Sequence, residues 1–574
     1  MDRKVHRNGI APPQKPTGGS AWAASRWLLP PWLAAAVTLS AFGLYLLFLS
    51  YSYMIDYDFY VWVEGAKTLR QEGIGAVGKV YKEPLLSLLL NLVAPIFGGN
   101  YEGAGKAISL LSGSIAIGLV FLLAYELFGS RLLALLAALL VAVHPQIIYY
   151  STHPFSEALY LCLIMLAMLC FWRAHQGGSL PVAVASGVVL GLAFLTRIPG
   201  IATVLTLLLL SFATLAAGRF QSRPAMARCA AVTLGFLLLA GPYWISIHSH
   251  TGQWRLSNKV DPNVLIREAY SAYDPAQKVE NYERLLYGAD RAAVPEESGL
   301  FTSFLRHPLP MLTAYRHQLF LGLQLAHFVF PLALVVLGLI VLMCLAWGGD
   351  EARKRGIVYL SMLAPFFAYP LGHVELRYMA PLIPVFVLLA LEGTRWAGSY
   401  LPKLLRQERT EAMVKRAGLA LSVTAAVVIL AWSGRELAAY LQRTPWSEPI
   451  ELQQAGLWLK THTAPDAVIM ARKPMPAFYA ERSWVPLPYT DYEGLLRSLR
   501  EQRVSFLVMD EIFAGRLRPQ LRFLLYEPDR IRALTELVPV HVLSEQQGRA
   551  VIIYQVIQER LPSSPSDDGT FPPR

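Results

Sequence analysis

Apolar runs of about 20 residues recur along this chain, and that is the length a helix needs to cross a bilayer. The 574 residues are 54% hydrophobic and only 16% charged. A soluble domain carries about a quarter charged residues, so the deficit indicates that lipid surrounds much of the chain. We therefore predict a polytopic membrane protein built from α-helices.

The placement of charged residues orients these helices. The formal net charge is +11, but lysine and arginine gather in short loops on alternate sides of the spans, as the positive-inside rule requires. That placement explains the basic excess without a nucleic-acid partner. The basic leader, residues 1–26, is predicted to be cytoplasmic, because the apolar run after it is too long for a signal peptide and lacks a cleavage site.

Following the alternation of basic inner loops and outer loops along the chain predicts about eleven transmembrane helices in residues 27–433. The third and eighth spans are placed at 132–148 and 325–347. Two larger segments face the outside, a first outer loop at 52–104 and a long outer loop at 248–317. We expect a multi-pass protein of a bacterial inner membrane whose outer face is periplasmic.

The C-terminal part has a different pattern. Residues 434–558 alternate amphipathic helical segments with short apolar strands such as "AVIMA" and "RAVIIYQVI". Strands that alternate with helices indicate a small α/β domain, which the predicted topology puts on the periplasmic side. Residues 559–574 have low complexity and are predicted to be disordered.

Four acidic residues lie on the outer side, near the predicted span ends. Asp56 and Asp58, in "MIDYDFYVWVEGAKTL", directly follow the first span, where a base could meet a substrate at the membrane surface. Acids are also favoured in the first turn of a helix, and that alternative weighs equally. Glu83 could orient an acceptor or share a metal with Asp58, or belong to an ordinary charged loop. Glu157 could cap the fourth span or line a cavity.

Two arginines interrupt apolar sequence at outer span ends. They are Arg197 in "FLTRIPG" and Arg377 in "HVELRYMAPLIP". A planar guanidinium suits phosphate, so the two could hold a lipid-linked phosphate, although each alone could also anchor its helix to lipid headgroups. The candidates for binding this phosphate are Arg377, Arg197, Tyr378 and Lys82. The further candidates for lining an acceptor cavity beside Glu157 are His153, His373 and Glu375.

The order of these segments resembles the GT-C glycosyltransferases. The nearest branch is the one that holds the protein O-mannosyltransferases, the lipid A aminoarabinose transferases and the RgtA/B/C/D-like enzymes, and it is similar to glycosyltransferase family 39. The resemblance covers about residues 27–435 and is carried by the segments "DYDFYVWVEGAKTL", "KEPLL", "HPQIIYYSTHPFSEALYL", "AFLTRIPG" and "ELRYMAPLIPVFVLLAL".

The resemblance implies an inverting transferase of the GT-C fold that takes its sugar from a polyprenyl phosphate. The first-loop acid is the catalytic base in that family, which implies Asp58 here, with Asp56 as the second choice. The acceptor would be a hydroxyl of a lipid, a glycan or a protein at the membrane. The aminoarabinose enzymes carry an acid before the lysine of the second segment, whereas here Lys82 precedes Glu83. The resemblance therefore does not imply aminoarabinose as the donor sugar.

The sequence is also compatible with a bound divalent metal and with two other functions. Some GT-C enzymes use a divalent ion such as Mg²⁺, Mn²⁺ or Ca²⁺, but no dense carboxylate or histidine cluster in this sequence demands one. The four cysteines all fall in apolar stretches and indicate neither a disulfide nor a zinc site.

A flippase or transporter of lipid-linked sugars would also be polytopic, although it is expected to place polar groups near the bilayer midplane. The third class is a non-catalytic assembly or sensor subunit that works through its C-terminal domain.

Overall fold

The protein is helical throughout its membrane part and ends in a mixed α/β domain, which confirms the predicted fold class. A computed structural model of the chain describes residues 31–216, 222–259, 280, 283–284, 287, 308–346, 349–372, 374–404, 411–544 and 549–561. The predicted leader, most of the predicted long outer loop, and residues 562–574 of the predicted tail lie outside these residues.

Most described residues of the membrane part lie in helices. In chain order they are α1 (Pro31–Phe48), α2 (Tyr57–Glu72), α3 (Leu85–Val93), α4 (Tyr101–Phe128), α5 (Arg131–Ala142), α6 (Pro145–Thr152), α7 (Glu157–His175), α8 (Leu180–Thr196), α9 (Gly200–Ala216), α10 (Ser222–Thr251), α11 (Pro308–Val329), α12 (Leu332–Ala346), α13 (Asp350–Ala368), α14 (Ile383–Leu404) and α15 (Glu411–Ser447). The centre of the bundle is formed by α4, α7 and α14, whose apolar stretches are mostly buried.

Among the described residues, six helices are long and apolar enough to cross a membrane, or eight spans if two bent helix pairs each count as one. Three further helices occupy the remaining predicted spans. Two of them, α8 and α9, are apolar but have only 17 residues each. The third, α13, begins with the charged run "DEARKR". Length and apolarity therefore support eight of the eleven predicted spans.

Two predicted spans are broken rather than straight. The break between α5 and α6 bends the chain by 64°, and the break between α11 and α12 bends it by 116°. The predicted spans at 132–148 and 325–347 therefore each contain a bend and are not one straight helix. Pro145 and Pro331 lie at the two breaks, where proline disfavours a helical conformation in the residue before it.

The C-terminal domain is built on a five-stranded mixed sheet. Its strands are β1 (Val468–Ala471), β2 (Ser483–Pro486), β3 (Phe506–Asp510), β4 (Leu537–Leu543) and β5 (Val551–Val556), in the order β2-β1-β3-β5-β4. The pairs β1–β2 and β1–β3 are parallel, whereas β3–β5 and β4–β5 are antiparallel. The helices of this domain are α16 (Ile450–His462), α17 (Met475–Ala480), α18 (Tyr492–Glu501), α19 (Ala514–Leu517), α20 (Phe523–Tyr526) and α21 (Pro528–Arg532).

Helix α2 lies between the membrane part and the C-terminal domain. Its buried face packs on the bundle through Phe59, Trp62 and Val63. On the other side, Trp484 of β2 contacts the rings of Tyr57 and Tyr60, with centroids 6.1 and 5.5 Å away. Both parts of the protein therefore hold the helix that carries the first-loop acids.

Candidate functional site

Helix α2 begins at the two aspartates of the predicted first outer loop. Asp56 is its N-cap, and Asp56 Oδ1 accepts a hydrogen bond from the Tyr57 amide. Asp58 lies in the first turn, where a carboxylate interacts favourably with the helix dipole. The helix ends at Gly73, whose φ of 82° favours glycine. Asp56 therefore has a structural role as a cap, which leaves Asp58 as the aspartate that faces other parts of the fold.

Asp58 is held by two cations from distant segments. Lys82 Nζ lies 2.5 Å from Asp58 Oδ1, and Arg377 Nη1 donates to Asp58 Oδ2. The Lys82 ammonium also lies 4.1 Å from the centre of the Trp62 ring. Trp62 is one helical turn after Asp58, so the carboxylate and the ring share one face of α2. Sequence reasoning named all three charged residues, and the fold brings them together.

The two cations change the protonation of Asp58. Burial alone would raise the pKa of Asp58, but Lys82 and Arg377 outweigh burial and hold that pKa well below its usual range. Asp58 is therefore ionised at neutral pH. A carboxylate so strongly paired is a weak base until at least one of its cations finds another partner.

A ring of Tyr378 lies between the two predicted phosphate-binding arginines. The guanidinium carbon of Arg197 is 5.0 Å from the centre of this ring, and that of Arg377 is 5.3 Å away. Tyr369 stacks on Tyr378 with centroids 4.9 Å apart. The segment "RYMAP" forms a 3₁₀ helix, Leu376–Leu382, that enters the bundle directly before α14. The two arginines and Tyr378 thus form one group where this 3₁₀ helix enters the bundle.

Arg197 is already paired. Its Nη1 lies 2.5 Å from Glu157 Oε1, and the Glu157 side chain is almost completely buried. Ser156 accepts a second hydrogen bond from the same nitrogen at 3.3 Å. Glu157 and Arg197 therefore join the start of α7 to the end of α8, beside the Tyr378 ring.

The other sequence candidates have different surroundings. Glu83 is buried, and among the described residues no hydrogen bond reaches its Oε1 atom. Glu375 contacts Arg377 and so belongs to the Asp58 group. His153 is buried and pairs through Nε2 with Glu448, 2.9 Å away near the end of α15. His373 lies outside the described residues.

Sequence reasoning missed the residues that the C-terminal domain contributes. The hydroxyl of Tyr479 in α17 accepts a hydrogen bond from the Ile55 amide at 2.9 Å. Lys473, just after β1, lies 5.1 Å from the centre of the Tyr57 ring. No sequence motif marks these residues, because only the docking of the two domains brings them near α2.

A divalent ion would need several oxygen or nitrogen ligands close together. Within the described parts of the chain, no group of three or more histidine, cysteine, aspartate or glutamate side chains is arranged to hold one. Both oxygens of Asp58 face cations. The described residues therefore do not form a metal cradle around Asp58.

Part of the chain matches the model of a known protein family. Residues 82–244 match the model of the dolichyl-phosphate-mannose-protein mannosyltransferase family. This stretch begins at Lys82 and includes Glu157 and Arg197. No curated protein sequence matches the chain.

Solved structures resemble the whole chain at low sequence identity. ArnT from Cupriavidus metallidurans, crystallised with undecaprenyl phosphate, is 14% identical with a TM-score of 0.53, and the match covers 94% of this chain and 100% of ArnT. The apo form of the same protein is 15% identical with a TM-score of 0.51 and the same coverage of both chains.

The oligosaccharyltransferase of Archaeoglobus fulgidus, tethered to an acceptor peptide, is a second kind of relative. It is 13% identical with a TM-score of 0.52, and the match covers 93% of this chain and 75% of the oligosaccharyltransferase. The architecture of an α-helical membrane part followed by a C-terminal domain is therefore shared with these proteins. The chain therefore has the GT-C fold of ArnT and of the archaeal oligosaccharyltransferase, and residues 82–244 match the mannosyltransferase family model.

Proposed function

We propose that the chain is an inverting glycosyltransferase that moves a sugar from a polyprenyl phosphate to a hydroxyl group of a lipid, a glycan or a protein. We place the reaction on the outer, periplasmic face of a bacterial inner membrane. The observation that carries the proposal is the meeting of Asp58, Lys82 and Arg377, because it combines a carboxylate with two cations suited to a phosphate.

The relatives support this choice of donor and acceptor. ArnT was crystallised with undecaprenyl phosphate, which has the chemistry of the lipid carrier that we propose here. The family matched by residues 82–244 is named for transfer from dolichyl-phosphate mannose to protein. The archaeal relative was solved with an acceptor peptide, so a protein acceptor also occurs on this fold.

Lys82 and Arg377 are proposed to exchange partners when the donor binds. Without donor, both cations are held by Asp58. The donor phosphate offers them a second anionic partner and shares their charge. This sharing raises the pKa of Asp58 toward the range in which it can accept a proton.

The transfer is a single displacement. The acceptor oxygen attacks the anomeric carbon while the bond from that carbon to the phosphate oxygen breaks. The acceptor proton passes to Asp58, and polyprenyl phosphate leaves with the bonding electron pair. Lys82 and Arg377 stabilise the charge that develops on the phosphate. Attack from the side opposite the leaving group inverts the anomeric centre.

The test is sugar transfer by the full chain in lipid nanodiscs, with a panel of undecaprenyl-phosphate hexoses and pentoses. We expect at least one donor to be consumed. Asp58→Asn should lower that rate at least about 100-fold, since it removes a general base. The matched control is Glu64→Gln on the same helix, an exposed residue paired with Lys67 at 2.8 Å, which should leave the rate unchanged.

Two results would change the proposal. If no donor is consumed but undecaprenyl phosphate still binds, a flippase or carrier becomes the better function. If activity survives Asp58→Asn, the base is Asp56 or Glu83, and single substitutions of those residues identify which one.

A further inference from the structure

The C-terminal domain carries a lysine at the edge of the Asp58 site whose charge is not neutralised by a direct contact. Lys473 Nζ lies 5.1 Å from the centre of the Tyr57 ring and 5.2 Å from that of Phe513. Two rings at this distance hold an ammonium by cation–π attraction without using its hydrogen-bonding capacity. Among the residues that the structure describes, Lys473 makes no hydrogen bond and no ion pair.

Arg472, the residue before Lys473, is already paired with a carboxylate. Arg472 is buried and donates to Glu283 of the long outer loop from Nε at 2.9 Å. Glu283 accepts a further hydrogen bond from Arg518 at 2.7 Å. Arg472 and Arg518 are thus occupied in joining that loop to the domain, whereas Lys473 is left for another partner.

The position of Lys473 relative to Asp58 is fixed by the docking of the domain. Tyr479 holds the Ile55 amide, and Trp484 packs on the rings of Tyr57 and Tyr60. The charges that act on Lys473 are the cation of Arg472 and the carboxylates of Asp56, Glu283 and Asp58. Lys473 is therefore near enough to α2 to act on a molecule bound at Asp58.

Lys473 and Lys82 approach different faces of α2. Lys82 lies on the face of Asp58 and Trp62, where the proposed donor phosphate binds. Lys473 lies over Tyr57, on the face that Tyr57 and Tyr60 present to the C-terminal domain. Lys473 therefore lies beside the C-terminal domain, on a different face of α2 from the proposed donor phosphate.

We propose that Lys473 binds an anionic group, a phosphate or a carboxylate, that the acceptor carries near its reacting hydroxyl. This inference rests on the proposed transferase function, because it assigns the acceptor side of the same site. Burial, followed by Arg472, lowers the pKa of Lys473, and a bound anion would oppose that shift. Lys473 thus selects charged acceptors over neutral ones.

The experiment measures equilibrium binding of three soluble probes to the full chain in phosphatidylcholine nanodiscs. The probes are glucose, glucose 6-phosphate and glucuronate. The wild type should bind the two charged sugars more tightly than glucose. Lys473→Gln should reduce this preference about tenfold, the size of one charge-assisted hydrogen bond. Lys473→Arg should keep it, which shows that the site still folds.

Two further variants separate the alternatives. Lys460→Gln, which removes an exposed lysine of the same domain paired with Glu481 at 2.6 Å, should keep the preference. Lys82→Gln tests whether the charged probes bind instead at the donor phosphate site, in which case the preference would be lost in Lys82→Gln. The proposal is overturned if the wild type has no preference, if Lys473→Gln retains it, or if Lys82→Gln abolishes it. The preference of phosphate over carboxylate, or the reverse, identifies the anion.

Failure of the transferase proposal gives a different result. In that case Lys82→Gln would leave the binding of undecaprenyl phosphate unchanged and the wild type would consume no donor. Sugar-phosphate binding does not require turnover, so the role of Lys473 in binding an anion is decided by its own measurement.

Discussion

Lys82 Nζ lies 2.5 Å from Asp58 Oδ1, although Asp58 is in the first turn of α2 and Lys82 follows the end of that helix. The remaining oxygen of Asp58 accepts from Arg377, which comes from the far end of the membrane part. The carboxylate of Asp58 is therefore held in place by two residues that lie outside its own helix.

Replacing Lys82 should change the pH dependence of transfer. Lys82 and Arg377 hold the pKa of Asp58 well below its usual range, so in the wild type Asp58 is ionised throughout neutral pH. Lys82→Gln removes one of the two cations and raises that pKa. At a given acidic pH fewer molecules then carry the ionised base, and the acidic limb of the pH–rate profile should move to higher pH.

The measurement for Lys82 is kcat/KM against pH for wild type, Lys82→Gln and Lys82→Arg. Lys82→Arg keeps the positive charge and should leave the acidic limb close to that of the wild type. The KM for the donor should rise about tenfold in Lys82→Gln, because one contact to the phosphate is lost. An unchanged limb in Lys82→Gln would mean that Lys82 does not act on the base.

The buried pair of Glu157 and Arg197 should be important for stability. Glu157→Ala leaves the Arg197 guanidinium without its carboxylate in a largely buried position, which costs about 3–5 kcal/mol for a buried charge. The double variant Glu157→Leu/Arg197→Met should recover most of the loss, because it removes both charges. Thermal unfolding in one detergent measures all three proteins.

The control for this pair is Glu64→Ala, which breaks the exposed contact with Lys67. Exposed pairs contribute about 0–1 kcal/mol, so the midpoint of unfolding should hardly move. A cost for Glu157→Ala as small as that for Glu64→Ala would show that water or headgroups reach Arg197.

Gly105 should be sensitive to a single added methyl group. A Cβ atom there would lie 2.5 Å from a ring atom of Phe59 and 2.8 Å from Pro154 Cβ. Phe59 is completely buried and adjacent to Asp58, so it can yield only by moving α2. We expect Gly105→Ala to cost about 1–3 kcal/mol, as overpacking does, and to lower kcat although no charge changes.

Gly43→Ala is the matched control for this substitution. Gly43 lies within α1, and a Cβ atom there would meet no atom within 4 Å. Alanine is the better helix former by about 0.5–1 kcal/mol, so this variant should be as stable as the wild type or slightly more. If Gly105→Ala behaves in the same way, the contact of α4 with α2 does not fix the position of Asp58.

Sequence patterns predicted the membrane architecture because lipid imposes strong constraints on length and apolarity. The same patterns missed the breaks at Pro145 and Pro331, since the residues on both sides of each break are apolar and the run looks continuous. The two prolines themselves were the available signal, because proline disfavours a helical conformation in the residue before it.

The residues of the candidate site could also be predicted only in part from the sequence. Asp58, Lys82 and Arg377 could be proposed because an ionisable residue at a span end is rare and costly. Their mutual contact is tertiary, and so is the pairing of Arg197 with Glu157. Lys473 had no signal of its own, because a lysine in a soluble domain usually faces water.

The contacts of Trp484 and Tyr479 with the start of α2 restrict how this protein could evolve or be engineered. A soluble domain grafted from another enzyme would arrive without the ring that packs on Tyr57 and Tyr60 and without the hydroxyl that holds the Ile55 amide. The helix that carries Asp58 would then lose the support on its outer side. An exchanged C-terminal domain is therefore expected to support α2 only when the segment around α2 is exchanged with it. The two segments should be inherited together.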